Sequence, residues 1–131
     1  MDITNEKIRI YKQLDSMTNS KEIDRMRINI ADRFGKLPPE VENLFLVVRV
    51  RNLGGKLGFE KIIIKNGLMI MFFISNPMSP FFKSKVFDRI LENINSHSGT
   101  YNLKQVENKL KIVIRGVDSM EKAYTLLEKL Q

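Results

Sequence analysis

Cysteine and tryptophan are absent from this 131-residue chain, and histidine occurs once. Without a thiol there is no disulfide framework and no thiolate nucleophile, a composition that suits a reducing compartment. The lone histidine, His97, lies in Ser96-His97-Ser98-Gly99 with no second histidine or cysteine to share a zinc ion or to complete a histidine-based triad. No glycine-rich phosphate loop of the G-x-x-x-x-G-K-S/T type occurs, and Gly54-Gly55-Lys56-Leu57-Gly58 falls at a predicted helix end without the strand such a loop needs before it. No apolar run is long enough to cross a bilayer, and Met1-Asp2-Ile3-Thr4-Asn5-Glu6 lacks the basic-then-apolar layout of a signal peptide. The carboxylates are scattered on polar helix faces beside arginines, which reads as solvated surface rather than as a paired general acid and base. Together these absences predict a soluble, cytoplasmic, non-catalytic chain with no catalytic residue, cofactor or metal of its own.

What is present is a 43% hydrophobic composition, enough for one core, and a net charge of +7. Lysine and arginine patches are what phosphate backbones select, so the charge raises an auxiliary nucleic-acid-binding module as an alternative function. Its distribution along the chain is even. Residues 1 to 58 carry 11 Lys+Arg against 8 Asp+Glu and residues 59 to 131 carry 11 against 7, so no segment forms a basic arm. Only weak, sequence-independent DNA binding is expected from such a spread.

Taken in order, Lys7 to Leu14 has apolar residues at 8, 11 and 14, with Ile10 beside them, and predicts a short helix. Asn19 or Ser20 can cap a second helix, in which Ile23, Met26, Ile30 and Phe34 form the apolar stripe and Gly35 is the stop. A third helix is predicted from Pro39 towards Leu57, with Val41, Leu44, Phe45 and Val48 buried and Gly58 ending it. Gly54 and Gly55 fall inside it, where each costs roughly 1 kcal/mol relative to alanine; either the last turns fray or a neighbouring element comes too close for a side chain.

From Phe59 the period changes to two. Lys61 to Lys65, the turn Asn66-Gly67 and Leu68 to Ile74 read as a hairpin, and the second strand, apolar on both faces, calls for cover on both sides. Val86, Phe87, Ile90, Leu91 and Ile94 mark a helix. Tyr101 to Val106 and Lys109 to Arg115 form a second hairpin, and Asp118 with Glu121 suggests a capping box opening a last helix along Met120, Ala123, Tyr124, Leu127 and Leu130. The expected fold class is α+β: N-terminal helices followed by an antiparallel sheet built from two strand-strand-helix units. The expected division is a helical subdomain over 1–58 and an α+β subdomain over 59–131 packed on it. Adjacent Phe81 and Phe82 cannot both point inward from a helix, so one of them is a candidate exposed contact for a partner.

The run Asp32-Arg33-Phe34-Gly35-Lys36-Leu37-Pro38-Pro39-Glu40-Val41-Glu42-Asn43-Leu44, followed by Leu57-Gly58-Phe59-Glu60-Lys61-Ile62, resembles the C-terminal domain of the bacterial transcription-repair coupling factors (the Mfd or TRCF family). The likeness begins near Ile8-Arg9-Ile10-Tyr11-Lys12-Gln13-Leu14 and continues through Lys65-Asn66-Gly67-Leu68-Met69 and Phe73 to Phe82. Members of that family are large ATP-dependent DNA translocases that displace stalled RNA polymerase and recruit the excision-repair protein UvrA. The resemblance therefore implies a non-catalytic piece of such a parent, with ATP, Mg and most DNA contacts belonging to an upstream motor. It also implies a regulatory role in DNA repair, in which this domain packs on the parent's UvrA-binding module and holds the repressed state. The family often has Glu-Leu-x-Asp-Arg-Phe-Gly, with two acids one turn apart. Here the second acid is Asp32 and the first is replaced by Asn29, which makes these two the candidate contacts for that module.

Overall fold

The computed structural model describes residues 3–131. Three helices come first: α1 (Ile3–Asp15), α2 (Ser20–Phe34) and α3 (Pro39–Lys56). Strands β1 (Phe59–Lys65) and β2 (Leu68–Phe73) follow. A 3-10 turn (Pro80–Lys83) then leads into α4 (Lys85–Ser96), β3 (Asn102–Val106), β4 (Lys109–Arg115) and α5 (Met120–Glu128). The packing divides between Arg49 and Val50, inside α3 rather than at its end, into two units with separate cores.

In the helical unit, Ile10 and Leu14 of α1 meet Ile23, Met26 and Ile30 of α2 and Val41, Phe45 and Val48 of α3. The α1 stripe differs from the expected one: Ile8 and Tyr11 are exposed, and the buried pair is Ile10 and Leu14, one turn apart at i, i+4. The Asn19 side chain caps α2 by accepting from the Lys21 N–H at 2.8 Å. Gly35, at φ +82°, ends α2 and donates its N–H to the Ala31 carbonyl at 2.8 Å. Leu37 then turns inward and Pro39 opens α3. Polar bridges tie α2 to α3: the Arg27 guanidinium donates to both Glu42 carboxylate oxygens, at 3.0 and 2.6 Å, and Arg49 pairs with Asp24. The hydrogen bond to Glu42, then the Glu42 charge, holds the Arg27 guanidinium above its ordinary pKa.

The second unit is a four-stranded antiparallel sheet in the order β1-β2-β4-β3, an α+β arrangement as expected from the two strand-strand-helix units. Asn66 (φ 54°) and Gly67 (φ 76°) both take positive φ, the backbone that a two-residue hairpin loop requires. One sheet face carries Met69, Met71 and Phe73 of β2 and Ile112 and Ile114 of β4. It packs against Ile90 and Ile94 of α4, and Leu126 and Leu127 of α5. Ser119, not Asp118, caps α5, accepting from the Lys122 N–H at 3.1 Å. Buried Tyr101 donates its hydroxyl to the Leu126 carbonyl at 2.8 Å, and burial raises its pKa.

The two glycines inside α3 have different roles. A Cβ on Gly54 would stand 2.5 Å from Cδ1 of Ile62 in β1, the end of a flexible side chain that would have to shift to admit it. Gly55 has nothing within 4 Å. At Gly58 both constraints meet: φ is +86°, and a Cβ would lie 2.2 to 2.5 Å from the Phe81 ring.

Candidate functional site: the exposed face of α2

The α2 sequence Ser-Lys-Glu-Ile-Asp-Arg-Met-Arg-Ile-Asn-Ile-Ala-Asp-Arg-Phe buries Ile23, Met26 and Ile30, and the helical period then turns Asn29 and Asp32 to solvent. Their environments differ. Asn29 lies on the wall of a groove of about 580 Å³ floored by Ile10, Met26 and Ile30 and edged by Arg9, Arg25 and Arg33. Asp32 is outside that lining.

The sequence places Arg25, Asn29 and Arg33 at i, i+4 and i+8, which stacks them on one helix face. This spacing is a signal that attention to acids alone passes over. Arg9 is held by Glu6 at 2.6 Å, and the Arg33 guanidinium lies 5.2 Å from the centroid of the Phe34 ring. Arg25 has no ion pair among the described residues. The acids of α2 are used unequally. Asp24 is taken by Arg49; Glu22 sits in the first turn, where the helix dipole favours a carboxylate. Asp32 sits in the last turn, where the dipole opposes it by about 0.3 to 1 kcal/mol. Neither Arg33 nor Lys36 pairs with it, and it has no ion pair among the described residues.

Phe81 and Phe82 are not the exposed contact that their adjacency suggested. Both are half-buried against the core of the sheet unit. In the tighter 3-10 turn both rings reach one aromatic cluster: Phe81 and Phe82 stand 5.5 Å apart, and Phe87 of α4 lies 5.4 and 5.1 Å from them. Phe73 of β2 lies beneath, at 6.1 and 6.5 Å. The exposed apolar side chain of this loop is Met78, at 85%.

Among the described residues no group of three or more histidine, aspartate or glutamate side chains converges on a point, and no helix is long and apolar enough to cross a membrane. His97 places Nδ1 3.0 Å from the Asn93 carbonyl oxygen in the exposed loop after α4. The α2 face presents a carboxylate, an amide and flanking guanidinium groups to solvent.

Comparison with known proteins places this geometry in a family. Over 113 residues the chain is 30% identical to a transcription-repair-coupling factor of Rickettsia typhi, a stretch that is 86% of this chain and 9% of that protein. Over 58 residues it is 31% identical to the Escherichia coli protein of the same name, covering 44% of this chain and 5% of the other. The chain thus spans about a tenth or less of the length of these relatives. The crystal structure of a C-terminal domain of transcription-repair coupling factor superposes with a TM-score of 0.68 at 19% identity, over 96% of this chain and 79% of that one, so the fold is shared. The model of the TRCF domain matches residues 1–84, which include α1, α2, α3 and the first hairpin, and the chain belongs to the TRCF domain family.

Proposed function

We propose that this chain is the non-catalytic C-terminal regulatory domain of a transcription-repair coupling factor, and that its α2 face docks on the UvrA-binding module of the same protein to hold the repressed state. The parent is then an ATP-dependent DNA translocase that displaces stalled RNA polymerase and recruits UvrA in the cytoplasm. ATP, Mg and most DNA contacts belong to its upstream motor. The observation that carries this reading is Asp32: an exposed acid in an unfavourable helical position, without an ion pair among the described residues, in a chain of the TRCF domain family. An arginine of the UvrA-binding module supplies the missing partner. Asn29, one turn earlier, contributes a hydrogen bond.

The test is Asp32→Ala. In the full-length parent it is expected to raise basal ATPase or UvrA binding. In the 131-residue chain it should leave stability within about 0.5 kcal/mol, the range of surface substitutions with no local partner. Loss of stability in the short chain, with the parent's activity and UvrA affinity unchanged, would make Asp32 structural and refute the docking role.

A further inference from the structure

The sheet has a second face, and its composition is set by register. Residues paired across the strands share a face, which groups Lys65, Leu68 and Arg115 in one row, Ile63, Ile70, Val113 and Asn102 in the next, and Lys61, Phe72, Lys111 and Lys104 in a third. Lys109 and Val106 continue it on the β3–β4 hairpin. None of the apolar members belongs to the core cluster or packs against it, whereas the alternate residues of β2 and β4, facing the other way, are buried there. The apolar cover that β2 calls for on both sides is present in this unit on one side only.

Two features say what fits this face. Ile70 is the centre of an apolar cross: Leu68 and Phe72 lie along β2, and Ile63 and Val113 lie beside it. Lys61, Lys65, Lys111 and Arg115 stand at the four corners, with Lys104 and Lys109 further out. None of the six cations is in an ion pair among the described residues. No carboxylate shares the rows. The nearest in sequence are Glu60, which accepts from the Ser75 hydroxyl at 3.5 Å, and Glu107 in the β3–β4 turn.

The dimensions select among polyanionic partners. Strands β1 and β4, flanking β2, are about 9.5 Å apart at 4.7–4.9 Å per strand, close to the diameter of an α-helix. Lys61 and Lys65 are separated along the strand by about 13 Å, or roughly nine residues of helix at 1.5 Å each. A helix lying along β2 with an apolar stripe downward therefore brings carboxylates on both of its flanks to the corner cations. A single nucleic-acid strand presents one line of phosphates and needs aromatic rings for its bases, and here the centre is aliphatic apart from Phe72, over which Lys111 Nζ stands at 5.7 Å. A second copy of the same face is disfavoured because six cations would meet six. We propose that the open sheet face is a docking surface for an acidic amphipathic helix of a partner protein, separate from the α2 face.

The test uses the 131-residue chain and three probes: a designed acidic amphipathic helix with leucines along one stripe, the same peptide with those leucines changed to serine, and an oligothymidylate. The acidic amphipathic peptide is expected to bind and to perturb backbone NMR signals of β2 and β4. The serine peptide and the Lys111→Glu/Arg115→Glu variant should each weaken binding by about ten-fold or more, equivalent to about 1.4 kcal/mol. The thermal melt of that variant should match the parent chain. Ile70→Ser provides an independent check at the apolar centre and should weaken the same peptide. Equal binding of the serine peptide, tighter binding of the oligonucleotide, perturbation confined to residues outside the sheet, or undiminished binding by both variants would overturn the proposal.

Discussion

Residues 1–49 carry 9 Lys+Arg against 8 Asp+Glu, and residues 50–131 carry 13 against 7, so a net charge of +1 in the helical unit stands beside +6 in the sheet unit. The same side chains are used differently in the two. In the helical unit six charges are cross-linked, through Glu6–Arg9, Arg27–Glu42 and Asp24–Arg49, while Asp32 on the last turn of α2 has no ion pair among the described residues. In the sheet unit Lys61, Lys65, Lys104, Lys109, Lys111 and Arg115 are in no ion pair among the described residues, and the period of two gathers these cations from β1, β3 and β4 onto one face. The difference teaches that net charge is a weak guide to a partner until the fold says which charges are neighbours. A unit close to neutral offers an acid without an ion pair where the helix dipole opposes it; a basic unit offers a ring of cations around an apolar centre.

The largest effect that would sharpen this comparison lies at the junction of α3 and β1. Gly58→Ala combines a left-handed backbone, about 1–2 kcal/mol, with overpacking against the Phe81 ring, about 1–3 kcal/mol, for an expected loss of about 2–5 kcal/mol in chemical denaturation. Gly55→Ala, three residues earlier in open space inside α3, should gain about 0.5–1 kcal/mol. A Gly58→Ala loss of no more than about 1–2 kcal/mol would leave the backbone as its whole cause and mean that the aromatic packing on Gly58 contributes nothing.

Next in size is Tyr101, whose hydroxyl bonds the Leu126 carbonyl inside the sheet unit. Tyr101→Phe removes that bond and leaves a buried carbonyl without its partner, at an expected cost of about 1–3 kcal/mol. Burial raises the Tyr101 pKa above its ordinary 10.0, so the neutral phenol is the form the fold prefers. Its contribution is complete below the unfolded pKa and declines as pH rises past it. The stability of the unaltered chain should therefore fall above about pH 10 more steeply than that of Tyr101→Phe. Parallel pH profiles would remove Tyr101 from the account.

The smallest expected effect compares the units directly. At about 1 M salt the screening length falls to about 3 Å, which weakens the exposed ion pairs of the helical unit and relieves like-charge repulsion in the sheet. Amide exchange should quicken in α2 and slow in β1 and β4, by amounts equivalent to a few tenths of a kcal/mol. A change of the same sign in both would break the comparison.

Much of the architecture was legible before the fold was in hand. Gly35, Pro39 and Gly58 mark helix ends by backbone constraint alone, and Asn66-Gly67 marks a hairpin because few pairs accept positive φ twice. The α1 stripe was misjudged because four apolar residues within one short helix leave the buried pair to be chosen by packing, which selected Ile10 and Leu14. Phe81 and Phe82 were misjudged because helical geometry was assumed where a 3-10 turn brings both rings to Phe73 and Phe87. At Gly54 the sequence left two explanations open; the helix runs on to Lys56, and the end of the Ile62 side chain lies close by. The cationic face was hidden from a tally along the chain, since Lys61, Lys104 and Arg115 lie on three different strands and come onto one face through strand order.

The central claim is that α2 docks on the UvrA-binding module, and titrating the 131-residue chain with that separately prepared module, followed residue by residue by NMR, tests it most directly. The account predicts perturbed signals at Asn29, Asp32 and their neighbours on α2, and binding weakened about ten-fold by Asp32→Ala with the sheet unit's signals in place. Binding of equal strength in the Asp32→Ala chain, or a titration that leaves α2 untouched, would contradict it.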